Sequence, residues 1–453
     1  MRLVSVIKRP VARLFLTILL FSGIVANAQE NSPYSRYGWG NEMASTPVAT
    51  RGMGGIGIGY VDYDPRYDFK QIYPHAQTVN FLNPASYARL KITSFDLGFV
   101  LENQVLTEKG VSEKYKATYA NISYIQLGIP LSRKRNLAMV LGLRPVSRIN
   151  YQILSFAREI NPITGNSIDS TVTTYNGEGG SYQAYAGVGK AIGKLTLGAN
   201  IGYYFGTKDN STRKSFINDS VTYYNGNYQS KINFGGMFLQ TGAQFATKVG
   251  SSTRLVLGAT ASFKKDYGAK ANLIRETFNY SSAGGFLTKD SVYSEENVSG
   301  KVTFPGSFGF GFSFEKEDKW LIGVDYTTTN WDDFAIYGHK DSVGTNWKVK
   351  VGGQVIPNAF GTNYWGRVTY RFGFNYGPDY IQYQNEELKQ YAVSVGFGFP
   401  IRPARFSNQY SNINLGFEFG RRGDPNTAMK ENLFRLSFGM TLSDLWFVKR
   451  KYD

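Results

Sequence analysis

Leu195-Thr196-Leu197-Gly198-Ala199-Asn200-Ile201-Gly202-Tyr203-Tyr204-Phe205-Gly206 carries an apolar side chain at every odd position, with Thr, Gly, Asn, Gly, Tyr and Gly between. A strand turns alternate residues to opposite faces, so this stretch meets two different solvents. The pattern returns at Phe308, Phe310, Phe312, Phe314 and at Tyr391, Val393, Val395, Phe397, Phe399, with Gly, Ser or Ala between. A soluble sheet also alternates. Strands of about ten residues with a wholly apolar outer face and a small or polar inner face are what a closed membrane barrel requires, because lipid leaves no backbone group unpaired and no sheet edge open. The chain therefore reads as all-β, a transmembrane antiparallel β-barrel.

The N-terminus supplies a route to such a membrane. Arg2, Lys8, Arg9 and Arg13 precede an apolar core, Leu14 to Val25, and the small-x-small site Ala26-Asn27-Ala28. Together these predict a secretory signal peptide over 1–28, a mature N-terminus at Gln29, and residence in a bacterial outer membrane. No cysteine follows the apolar core, which excludes a lipid anchor, and the chain has none at all, so disulfide and thiolate chemistry are absent. No later run of about eighteen apolar residues remains, which excludes a helical inner-membrane protein. Tyr and Phe, 32 of each, suit the aromatic girdles of a barrel. The formal charge of +16 is scattered over loops and strand ends rather than gathered in an aromatic-interleaved stripe, so a nucleic-acid partner is not expected.

Residues 29–91 lack sustained alternation and are rich in Gly, Pro, Tyr and Asn, an N-terminal segment distinct from the barrel at 92–453. Strands are predicted at 92–102, 115–128, 136–144, 181–190, 195–206, 233–247 and 254–264, then at 306–315, 319–329, 347–355, 364–376, 389–400, 411–420 and 433–446, about fourteen in all. The even count agrees with bacterial barrels. Short connections such as 190–194 and 315–319 read as periplasmic turns. The polar regions 145–180, 207–232, 265–303 and 330–346 read as extracellular loops, with 207–232 and 265–303 able to pair as strand extensions above the membrane.

Chemistry has little material. His75 and His339 are the only histidines, and neither adjoins a serine or carboxylate motif, so an enzyme is not expected. Gly52-Met53-Gly54-Gly55-Ile56-Gly57 matches G-x-G-x-x-G by letter but lacks the flanking strand and helix of a dinucleotide site; close backbone packing inside a lumen is the expected role. Asp62, Asp64 and Asp68 lack the glycine and terminal glutamate of a calcium loop and read as a solvated turn. Neither a cofactor nor a metal is expected.

Asn83-Pro84-Ala85, just before the first strand, carries a family resemblance, as does Phe304-Pro305 followed by Lys319-Trp320-Leu321-Ile322-Gly323-Val324-Asp325-Tyr326 and Trp331-Asp332-Asp333-Phe334. The chain resembles the FadL-type outer-membrane transporters of long-chain fatty acids and other hydrophobic compounds, whose N-terminal hatch bears an Asn-Pro-Ala triplet and plugs a fourteen-stranded barrel. The resemblance implies passive transport of a hydrophobic small molecule taken from outer-membrane lipid. It offers Asn83, Pro84 and Ala85 as hatch residues on the ligand path and Pro305, Trp320, Asp325, Trp331 and Phe334 as barrel supports. Two departures stand out: the triplet lies over fifty residues into the mature chain, behind an Asn31 to Gly38 stretch like the start of many Bacteroidota outer-membrane proteins, and the last strand runs on to the charged tail Lys449 to Asp453. With the long loops they motivate an alternative, a non-transporting barrel subunit or docking platform for other envelope proteins in a secretion or outer-membrane protein assembly complex.

Overall fold

The computed structural model describes residues 32–62, 76–160, 163–165, 167–218, 221, 223–250, 252–281, 286–316, 319–383, 386–401, 409–424, 427, 429–444 and 446. The predicted signal peptide, Asp64, Asp68, His75 and the charged tail lie outside them. The strands are β1 (Asn41–Glu42), β2 (Thr93–Glu108), β3 (Lys114–Ser132), β4 (Leu137–Ile160), β5 (Ser167–Ile192), β6 (Leu195–Ile217), β7 (Asn225–Val249), β8 (Thr253–Ser262) and β9 (Lys265–Tyr280). They continue as β10 (Phe286–Phe304), β11 (Ser307–Lys316), β12 (Trp320–Thr329), β13 (Ala335–Ile336), β14 (Asn346–Val355), β15 (Thr369–Tyr383), β16 (Glu386–Ile401), β17 (Tyr410–Arg422) and β18 (Met429–Asp444).

β8 runs on into β9 past Phe263-Lys264, and β10 into β11 past Pro305-Gly306; β7 pairs with β8 and β9 in turn, while β9 pairs with β10 and β8 with β11. Proline cannot donate to a ladder, which is why the second composite breaks at Pro305. With each composite taken as one stave and the two-residue strands β1 and β13 set aside, fourteen antiparallel staves remain, closed where β18 pairs with β2. The predicted strands each fall on one of these staves. Leu197, Ile201 and Phe310 lie on the outer surface, 46%, 55% and 62% exposed, while Thr196 and Asn200 are buried. The outer apolar surface is what lipid would cover; the inner face is filled by the N-terminal segment.

Stave length is uneven. About ten tilted residues cross a hydrocarbon layer, and β11, β12 and β14 have 10 each. β4, β5, β6 and β7 have 24, 26, 23 and 25. Their excess, with β9 and β10, rises on one side of the barrel as a crown of paired strands. This corrects the expected loop at 145–180: β4 and β5 pair from Leu137–Lys190 up to Ile160–Ser167, leaving only the tip between them. The regions 207–232 and 265–303 pair as extensions, β6 with β7 and β9 with β10. At the opposite, short-turn end, the strand predicted from 364 starts at Thr369, because Asn363 accepts a hydrogen bond from the Trp365 N–H and caps a helical turn over Tyr364–Arg367.

The staves are not paired evenly. β3 pairs with β4 only over Ile125–Ser132 against Leu137–Leu143. Above that level β1 takes the place of β3, Asn41 opposite Arg148 and Glu42 opposite Ser147.

Candidate functional site

The candidate site is the seat of the N-terminal segment in the lumen. Its backbone lies directly on the wall, and the wall is bare of side chains where they meet. Glycines pair across neighbouring strands as Gly189–Gly198–Gly242, Gly258–Gly311, Gly323–Gly352–Gly373, Gly396–Gly416 and Gly439–Gly98. A Cβ on Gly373 would stand 1.9 Å from Gly54 N, and one on Gly198 2.3 Å from Pro84 O; both obstacles are backbone. Gly54 itself has φ +69°, a left-handed conformation that glycine adopts without strain. The G-x-G-x-x-G letters thus serve close packing, following the helical turn Val48–Arg51 rather than a strand.

Polar side chains of the inner face fasten the hatch. Asp325 on β12 accepts from the backbone N–H groups of Gly57, Ile58 and Gly59 at 2.5, 2.8 and 3.4 Å. Asn83 is fully buried and caps the 3-10 turn Pro84–Arg89: its Oδ1 accepts from Ala85 N at 3.1 Å, and its Nδ2 donates to Ile58 O at 2.8 Å and Ala243 O at 3.2 Å. Pro84 and Ala85 are buried against β6. Gln244 donates to Ile58 O and Tyr60 O, and Ser313 to Gly59 O. Arg51 donates to Ser437, Ser123, Ala44 O and Thr46 O. Because an orphaned buried polar group costs about 1–3 kcal/mol, these pairings hold the hatch more firmly than their number alone suggests. Asp62 is part of the same scaffold, accepting from Thr78 N at 2.8 Å.

Two of the cavities beside the hatch contrast in character. One, of about 330 Å³, is walled by charge: Arg435 pairs with Glu102 at 2.6 Å and with Glu418 at 2.8 Å, and Lys348 with Glu42 at 2.7 Å. The other, of about 320 Å³, is apolar, lined by Trp39, Tyr204, Phe304, Pro305, Trp331 and Tyr380 where the wall strands break. Trp331 stacks on Tyr380 with ring centroids 4.1 Å apart, and Phe334 packs edge-on against Phe304 at 5.5 Å. Both are buried, and the Trp331 indole N–H has no partner among the described residues. Trp320 stands apart at the short-turn end, opposite Val355. Of the residues singled out from the sequence, Asn83, Pro84, Ala85 and Asp325 meet at the hatch seat, Pro305, Trp331 and Phe334 gather at the apolar cavity, and Trp320 joins neither.

Above the apolar outer row, Lys208 on β6 donates to Arg36 O at 3.0 Å and Gly38 O at 2.7 Å, tying down the start of the N-terminal segment. Burial lowers its pKa to about 8, although Asp341 at 3.8 Å opposes the shift. Arg51, Gln244 and Lys208 carry no motif. Only their polar character at inward parity marks them, a signal shared by any residue facing a wet lumen.

The family model described as BamG matches residues 7–453. Among solved structures, a FadL homologue of Pseudomonas aeruginosa is similar with a TM-score of 0.52 and 14% identity, over 89% of this chain and 99% of that one. A deltaS2S3 mutant of TodX, a monoaromatic hydrocarbon channel, gives 0.51 and 15%, over 88% and 99%. At such identities the likeness is one of fold. No curated protein matches the sequence.

Proposed function

The chain belongs to the BamG family, and on that footing we propose that it is a plugged, non-transporting outer-membrane barrel that docks other envelope proteins as a subunit of an outer-membrane protein assembly complex. The carrying observation is the seat of the hatch. A carrier that passes its cargo along the lumen needs a plug that shifts at each passage, whereas here the plug backbone rests on paired wall glycines around the barrel and is pinned by Asp325, Asn83, Gln244 and Arg51. The one-sided crown, placed outside the cell by the short-turn rule for periplasmic ends, supplies surface beyond what spanning requires. The family name fits this role.

A second reading, passive transport of a hydrophobic small molecule, is favoured by the apolar cavity at the wall break, whose lining includes both Trp39 inside and Phe263 outside. The FadL homologue and the hydrocarbon channel that share the fold lend it support by analogy. Native mass spectrometry of the full-length protein, gently extracted from its own membrane, separates the two. Docking predicts a stoichiometric complex with other envelope proteins. A lone barrel carrying a copurified fatty acid would overturn it in favour of the carrier.

A further inference from the structure

The crown is a sheet with two open sides, and they differ. On the β10 side the register shifts three times, between Thr288 and Asp290, Ser291 and Tyr293, and Glu295 and Val298. Lys289, Asp290, Glu295 and Glu296 crowd the same stretch. Bulges and charges are how natural sheets keep an edge from recruiting another strand. On the β4 side, pairing with β5 is uninterrupted from Ser147 to Arg158. Leu154 and Phe156 stand on that strand 55% and 71% exposed.

The direction of the backbone groups along β4 follows from its lower part. Asn150 turns both of its groups away from β5: its N–H donates to Ser35 Oγ at 3.2 Å, and its C=O accepts from Ser32 N at 3.1 Å. Val146 O likewise accepts from Met43 N at 2.9 Å. In an antiparallel ladder alternate residues face the same side, so Leu154 and Phe156 present their N–H and C=O groups to this edge as Asn150 does. Among the described residues no strand pairs with this side of Ile153–Ala157. The same edge that accepts the chain's own β1 below thus carries no strand of the described residues along Ile153–Ala157.

We propose that the β4 edge from Ile153 to Ile160 takes an extended segment of a second envelope protein, added as a strand by main-chain hydrogen bonds to Leu154 and Phe156, with apolar side chains of the segment against Leu154, Phe156 and Ile160. This rests on the docking role proposed above. The strand is assigned to a second protein because the N-terminal segment, seated next to this edge where Ser32 N donates to Asn150 O, is too short to extend along it. With the cleavage behind Ala28 that the N-terminal sequence predicts, only Gln29–Asn31 precede Ser32, about 10 Å of extended chain against the roughly 25 Å that the edge requires. Strand addition of this kind derives affinity from the backbone and selectivity from alternate side chains.

The test uses the full-length protein in its native membrane. The L154P/F156P double variant removes two edge-facing donors and leaves the ladder to β5 its bonds, since those N–H groups point away from it; V292P on β10 is the control. Wild type should retain a stoichiometric partner on gentle extraction, with hydrogen exchange slowed at residues 153–160 relative to the isolated barrel. The double proline variant, at normal membrane level and heat-modifiable on gels, should lose the partner at least tenfold, F156A a few-fold, and V292P not at all. A partner that survives the double variant, or protection elsewhere, overturns the edge assignment while the docking role stands. No retained partner in wild type overturns both. Protection of 153–160 by lipopolysaccharide vesicles alone would give the edge to lipid and overturn the protein assignment.

Discussion

Replacing Asp325 by Ala should release the hatch at one place while leaving the barrel closed. The carboxylate accepts three backbone N–H groups, from Gly57, Ile58 and Gly59, and is itself buried. Truncation orphans all three donors. At about 1–3 kcal/mol for each strongly bonded donor, and less for Gly59 at its longer distance, the hatch loses on the order of 3–6 kcal/mol of local stability. Since 1.4 kcal/mol is a factor of ten in an opening equilibrium, amide exchange at Gly57–Gly59 should accelerate by about a hundredfold or more. Asp325→Asn retains an acceptor oxygen but loses the charge, and should fall between the variant and wild type. Hydrogen exchange read by mass spectrometry on the nanodisc-embedded protein measures this, with peptides from β2 as an internal reference. Wild-type exchange at Gly57–Gly59 in a folded Asp325→Ala barrel would refute the claim that this carboxylate pins the hatch.

Gly373→Ala places a methyl group 1.9 Å from Gly54 N, where only backbone can yield, so the hatch should be displaced and a stable ion conductance should appear in planar bilayers that wild type lacks. Arg51→Met removes donors to Thr46 O, Ala44 O, Ser123 and Ser437 and should cost about 1–3 kcal/mol for each buried acceptor left without a donor, seen as a lower urea midpoint for loss of heat-modifiability. Lys208 gives a pH dependence. Burial lowers its pKa to about 8 while the unfolded chain keeps the proton to about 10.4, so the unfolded state binds more protons between these values and stability rises with pH across that window. Proteolysis near Arg36 should slow from pH 7.5 to 9.5, and Lys208→Met should abolish the trend.

Legibility followed the solvents. Leu195 to Phe205 and Phe308 to Phe314 could be read because lipid on one side and a packed lumen on the other force strict alternation. Thr171 to Tyr175, on β5 in the crown, could not: its sequence does not set an apolar face against a polar one, and the Thr-rich stretch looks like loop until its partner β4 is beside it. Asn83 and Asp325 were legible only through a resemblance, and the cap that Asn83 forms before Pro84 emerged with the structure. Arg51 and Gln244 were not, since an inward polar residue reads alike whether it faces water or grips a backbone carbonyl. The break at Pro305 was visible as a residue but not as a wall defect, because that depends on the matching break at Phe263-Lys264 on the neighbouring stave.

The grip of the hatch on β18 bears on the order in which the molecule is made. Ser32 meets Glu431, Tyr34 the carbonyl of Met429, Arg51 Ser437, and Gln77 Ser443. The N-terminal segment thus completes its set of partners only when the last strand has arrived, across separations of up to 399 residues. Contacts of such range are slow to form because loop-closure entropy is spent before any bond repays it. Until then β2 and β18 are both unpaired edges, open to the wrong neighbour. Sealing the seam and seating the plug are consequently a single late event, and a nascent chain stalled before it would be at once leaky and sticky.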